Sequence, residues 1–198
     1  MWLLGELGLE HERIDAGGRF GGLDTPVFGA LNPNRKVPVL KDGDLVLWES
    51  HMILRYLAAR YGTGTFWPED PGERALVDRW TDWAATALQP AFMDVFWGYF
   101  RTPPEQRDGA LINDGLARTA RLFTLMDEVL SRQPWLSGER LTMGDISAAC
   151  TLYRWYALDL DKPRFPHLEA WYERLTEGPA YREHVMVSFE ELRGRRTF

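Results

Sequence analysis

The residues with the clearest chemical potential lie in Trp48-Glu49-Ser50-His51, directly ahead of a stretch in which Ile53, Leu54, Leu57 and Tyr61 share one helical face. A helix N-terminus offers backbone N–H groups without internal partners and the positive end of the helix dipole, favouring a carboxylate by roughly 0.3 to 1 kcal/mol. A hydroxyl at Ser50 can donate to the same anion, and Glu49 can pair with an ammonium, so the two match the charged groups of an amino acid. The competing account makes Ser50 a plain helix cap and Glu49 a solvated acid. Upstream, Pro38 removes a ladder donor from the apolar run Val37-Pro38-Val39-Leu40. It marks either an edge strand or a cis Val37–Pro38 bond. In the cis case Val37 can pair strand-fashion with an extended peptide whose charged end lies at Ser50, and Lys36 stands ready for a second carboxylate.

These residues need a frame. Val37-Pro38-Val39-Leu40 and Leu45-Val46-Leu47 flank Lys41-Asp42-Gly43-Asp44, and Asp-Gly between β-rich runs predicts an antiparallel hairpin. Ser50 then opens a helix that Gly62 stops. Before the hairpin, residues 1–7 read as a helix, 11–15 as a short strand, and 26–31 as a helical turn with Thr25 as cap and Pro26 in first position. The breaker-rich residues 63–71 form a linker anchored by Phe66 and Trp67. Beyond it the 3.6-residue period predicts helices over 74–101, kinked at Pro90, then over 108–131, 142–156, 166–176 and 179–187.

Nine Trp and ten Phe among 198 residues suffice for a sizeable core, and a formal charge of -6 speaks against a chain built to neutralise phosphates, so no nucleic-acid partner is expected. Arg193, Arg195 and Arg196 read as a solvated tail. One cysteine, Cys150, allows no internal disulfide, and four scattered histidines show no zinc spacing, so no metal is expected. Neither a membrane span nor a signal peptide is predicted, which points to the cytoplasm.

Two further residues invite catalytic roles and have simpler ones. Asp145 stands three positions after Thr142, the spacing of a capping box, with Leu141 and Ile146 placed as a hydrophobic staple. Cys150 reads as a small buried residue.

The run Asn32-Pro33-Asn34-Arg35-Lys36-Val37-Pro38-Val39-Leu40, the Asp42-Gly43 turn, and Glu49-Ser50-His51-Met52-Ile53 with Tyr56-Leu57 resemble the glutathione-binding segment of soluble glutathione transferases. Leu141-Thr142-Met143-Gly144-Asp145-Ile146 is similar to the capping box and staple of that family's helical domain. The resemblance implies an α/β plus all-α fold: a truncated thioredoxin-like N-terminal domain over residues 1–62 and a helical-bundle C-terminal domain over residues 72–198, usually as a homodimer. It implies that Val37 beside a cis Pro38 binds the cysteinyl backbone of glutathione, that Glu49 and Ser50 take its γ-glutamyl end, and that Lys36 faces the glycyl carboxylate. Phe92, Phe96, Trp97 and Phe100 would wall a hydrophobic acceptor site, although each ring also fits a core. Glutathione would be a co-substrate, with no cofactor, and the activity would be detoxifying conjugation to a small hydrophobic electrophile.

Members of the family hold the thiolate with a Tyr, Ser or Cys after a first strand, and here the sequence opens within the following helix, so the catalytic residue is not identified. The expectation is that roughly 20 residues lie upstream, enough for a strand, loop and helix opening. The alternatives are a glutathione- or hydrophobic-ligand-binding protein without turnover, and a structural interaction module of the same fold.

Overall fold

The computed structural model describes residues 1–196. It opens with helix α1 (Trp2–Glu6), whose Trp2, Leu3 and Leu4 are buried. Gly8 ends this segment at φ 61°, in the left-handed region that glycine enters without steric cost. Residues 11–15, expected as a strand, are exposed and form none. The reason is geometric: the sheet among the described residues contains only the hairpin, so this segment has no ladder to join.

Helix α2 (Pro26–Leu31) starts as its sequence predicts, with Thr25 Oγ1 accepting from the Phe28 N–H at 3.2 Å. Strands β1 (Val39–Asp42) and β2 (Leu45–Trp48) pair antiparallel in the register Val39 to Trp48 through Asp42 to Leu45, turning at Gly43 with φ 59°. The ladder begins one residue after Pro38, which leaves the proline outside it. Helix α3 (Ser50–Tyr61) follows and buries Leu54, Leu57 and Ala58, each worth up to about 1.5 to 3 kcal/mol for the larger side chains. Asp42 ties hairpin to helix by accepting from the Tyr56 and Tyr61 hydroxyls at 2.7 and 2.5 Å.

Helix α4 (Pro71–Trp83) is capped by Asp70, which accepts from the Glu73 N–H at 2.9 Å. The helical path then runs through a π-helical turn, Ala84–Leu88, into α5 (Gln89–Val95) and a second π-helical turn, Phe96–Arg101. The widened turn directly before Pro90 accommodates the ring and the lost donor that a regular helix could not. Arg55 on α3 pairs with Asp78 at 2.8 Å and with Asp82, joining the hairpin half to α4.

Helix α6 (Gly109–Leu130) crosses α5, with Asp108 capping the Ala110 and Leu111 N–H groups. Helix α7 (Met143–Ala149) is buried throughout. The helix expected over 142–156 breaks at Cys150 and Thr151 before α8 (Leu152–Ala157). Lys162 Nζ closes α8 by donating to the Trp155 carbonyl at 2.7 Å and to that of Leu158. Helices α9 (Pro166–Glu177) and α10 (Pro179–His184) complete the bundle. Asp127 of α6 caps α9 in trans, accepting from the His167 and Leu168 N–H groups at 2.8 Å each.

The α7 start is the most densely bonded point of the core. Asp145 is fully buried and accepts from the Thr142 N–H at 2.9 Å, the Thr142 hydroxyl at 2.8 Å and the Leu136 N–H at 2.8 Å. Removal from water pushes its carboxyl up to about 6, against the pull of those donors. Gly144 beside it lets α7 approach α4 closely, because a Cβ there would lie 2.6 Å from the Val77 carbonyl oxygen. Asp145 is thus a folding element, as its spacing predicts.

Arg193, Arg195 and Arg196 are exposed as expected, but the segment that carries them is tethered to the bundle. Phe189 is buried against Phe96 and Phe100, with ring centroids 5.6 and 4.9 Å apart. The Gly194 N–H donates to the Phe100 carbonyl at 2.9 Å, Arg101 Nε donates to the Arg195 carbonyl at 2.8 Å, and Arg193 pairs with Glu190 at 2.8 Å.

Candidate functional site

The loop from α2 into β1 meets the start of α3 around a cavity of about 100 Å³, lined by Asn32, Lys36, Val37, Pro38, Glu49 and Ser50. All five residues proposed for ligand contact therefore converge. The Val37–Pro38 bond is cis. Val37 is exposed, and neither its backbone N–H nor its carbonyl has a hydrogen-bond partner among the described residues. A free donor and acceptor on one exposed residue can receive the backbone of another chain.

Glu49, not Ser50, occupies the N-cap position of α3, and its side chain makes no capping bond. The Ser50 hydroxyl is likewise unbonded among the described residues, so the plain capping account does not apply to it. The first α3 backbone N–H with an intrahelical partner is that of Ile53, which donates to Glu49 at 2.9 Å. The N–H groups of Ser50, His51 and Met52 are consequently available, together with the positive end of a twelve-residue helix. Glu49 has φ 72°, a strained conformation for a residue with a Cβ, and it directs the chain sharply from β2 into α3. His51 is held below its ordinary pKa by burial and by Arg55, so at neutral pH this helix start carries no extra cation of its own.

Asn32 belongs to the cavity and was not predicted from sequence. It is buried, donates through Nδ2 to the Lys36 carbonyl at 2.7 Å, and accepts from the Asn34 N–H at 2.9 Å. It therefore shapes the loop that presents Lys36 and Val37. The signal was the Asn-Pro-Asn run itself, since an Asn side chain commonly folds the backbone two residues on.

The aromatic cluster is placed differently from the acceptor wall expected of it. Phe92, Phe96 and Phe100 are each at most 2% exposed, and they stack on one another with centroids 6.0 and 5.3 Å apart. Their four-residue spacing through α5 and the second π-helical turn keeps them on the inward face, so they are core. Trp97 alone is exposed, at 38%, with the Arg101 guanidinium 3.8 Å above its ring. Cys150, expected to be buried, is exposed in the break between α7 and α8. The packed apolar surroundings nevertheless push its thiol up to about 11, which makes it a poor nucleophile.

Residues 1–59 match the model of the glutathione S-transferase N-terminal domain, and residues 88–179 match that of the C-terminal domain. Glutathione S-transferase GstB of Escherichia coli (strain K12) is 42% identical over 186 residues, covering 93% of this chain and 89% of the relative. The chain belongs to the glutathione S-transferase family. Among solved structures, the theta class glutathione S-transferase from Xanthomonas axonopodis pv. citri with glutathione bound superposes with a TM-score of 0.90 at 47% identity, over 94% of this chain and 90% of the other. The apo form of that glutathione S-transferase gives a TM-score of 0.82. The thioredoxin-like N-terminal and helical C-terminal architecture of the family thus holds here, with transferase activity following by homology. Among the described residues of this glutathione S-transferase no helix is long and apolar enough to cross a membrane.

Proposed function

We propose that this chain binds glutathione in the cavity between the α2–β1 loop and the start of α3, and conjugates its thiolate to a small hydrophobic electrophile. The observation that carries this reading is the unpaired Val37 backbone N–H and carbonyl beside the unbonded Ser50 hydroxyl and the free N–H groups of α3. The cysteinyl unit pairs strand-fashion with Val37 next to Pro38. The γ-glutamyl carboxylate lies on Ser50 and the α3 N-terminus, and its ammonium pairs with Glu49. Lys36 meets the glycyl carboxylate. In the reaction the thiolate sulfur bonds to the electrophilic carbon and the leaving group departs with its electron pair. No residue is assigned the task of holding the thiolate.

In this reading residues 1–62 form the glutathione-binding domain, 63–71 a linker and 72–198 the helical domain, in a cytoplasmic homodimer without nucleic-acid or membrane partners. Exposed Leu45, Trp48 and Met52 on β2 and α3 supply apolar surface that supports association. Titration calorimetry with glutathione, followed by a conjugation assay with a chloronitroaromatic, tests the reading. Binding that weakens several-fold in Ser50→Ala is expected, and no heat at millimolar glutathione would overturn it.

A further inference from the structure

Four other half-buried arginines each have an acceptor: Arg55 pairs with Asp78 and Asp82, Arg118 pairs with Asp94 and Asp114 at 2.7 Å each, Arg74 donates to the Pro68 and Glu69 carbonyls, and Arg107 donates to that of Thr102. Arg154, on α8, departs from this rule. It is half-buried and, among the described residues, makes no hydrogen bond and has no carboxylate within salt-bridge distance. Its guanidinium carbon lies 5.2 Å from the Phe96 ring centroid and 6.0 Å from that of Phe189.

Those ring faces attract a cation by about 0.5 to 1 kcal/mol, yet they accept none of its five N–H donors and leave its charge uncancelled. The groups that interact electrostatically with it are Arg101, another cation, and the exposed Cys150 thiol one turn earlier. Partial removal from water holds the Arg154 pKa below its ordinary value, opposed only by the Cys150 thiol and by no carboxylate among the described residues. A charge fixed on a rigid aromatic shelf and lacking its counterion is poised for an anion from outside.

We propose that Arg154 is a specificity-determining residue that recognises the carboxylate of an organic anion, the aryl acids among electrophiles being the favoured acceptors. This rests on the transferase reading only for the acceptor role, since binding is measured separately from turnover. The conjugation takes a simple form with 4-chloro-3-nitrobenzoate: the glutathione sulfur bonds to the ring carbon bearing chlorine, and chloride leaves with the electron pair.

The test compares that acid with its neutral twin, 4-chloro-3-nitrobenzamide, by calorimetry and by kcat/KM. Wild type is expected to favour the acid about tenfold, and Arg154→Gln to abolish the preference while leaving glutathione affinity and amide turnover unchanged. Arg154→Lys is expected to restore part of it, and raised salt to weaken it in wild type, a readout available even if Arg154→Gln folds poorly. Equal affinity of wild type for the two compounds, or a preference that survives Arg154→Gln, overturns the proposal. Binding of the acid without turnover of either compound would count against the transferase reading and leave the anion site standing.

Discussion

Replacing Asp145 by Ala removes the acceptor of the Thr142 and Leu136 backbone N–H groups, which lie 2.9 and 2.8 Å from its carboxylate in the core. Each buried donor left unpaired costs about 1 to 3 kcal/mol, so a loss of about 2 to 6 kcal/mol is expected at pH 7.5. The pH dependence makes the prediction sharper. The native carboxyl titrates at about 6 and the unfolded one at the ordinary 3.8, so between these values the native state holds a proton that the unfolded chain lacks. Stability from this group therefore falls as pH rises through that window, and Asp145→Ala lacks the component. Integration gives a penalty for Asp145→Ala about 1 kcal/mol larger at pH 5 than at pH 7.5. Urea unfolding of both proteins at the two pH values measures it. A penalty below about 1 kcal/mol at pH 7.5, or one identical at both pH values, would refute the claim that a desolvated carboxylate organises the α7 start.

Gly144→Ala should lower the thermal midpoint, because its Cβ would stand 2.6 Å from the Val77 carbonyl; forced repacking of this kind costs about 1 to 3 kcal/mol, and an unchanged midpoint would remove the close α4–α7 contact. The Asp42 carboxyl is held below its ordinary value chiefly by the Tyr61 and then the Tyr56 hydroxyl, so its contribution to stability is present above the unfolded pKa and is lost as pH falls through the folded one. Tyr61→Phe should raise that pKa in an NMR titration, and no movement would mean the bond is absent in solution. Lys36→Ala should weaken glutathione binding several-fold yet leave γ-glutamylcysteine, which has no glycyl carboxylate, unaffected; equal losses for both ligands would place Lys36 elsewhere.

What the sequence made legible was local. Asp42-Gly43 between β-rich runs specifies a hairpin whatever surrounds it, and the Thr142 to Asp145 spacing specifies a cap. The convergence of Lys36, Val37, Glu49 and Ser50 followed because a short hairpin and its helix keep near neighbours near. Tertiary context decided the rest. Residues 11–15 have strand-compatible composition but no partner strand, and the Phe92, Phe96 and Phe100 period is the same whether the rings face a ligand or the core. Nothing in the composition of 142–156 signals the break at Cys150 and Thr151. Arg154 could not be singled out, because its want of a counterion exists only once α8, Phe96 and Phe189 are assembled.

The central claim is that the free Val37 backbone and the start of α3 form the glutathione site, and calorimetric titration of the wild type, Ser50→Ala and Glu49→Gln with glutathione tests it most directly. Saturable one-site binding is expected in wild type, with affinity reduced several-fold in each variant and the helical half still folded by circular dichroism. Affinity unchanged in both variants would contradict it, and so would the absence of any binding to the wild type.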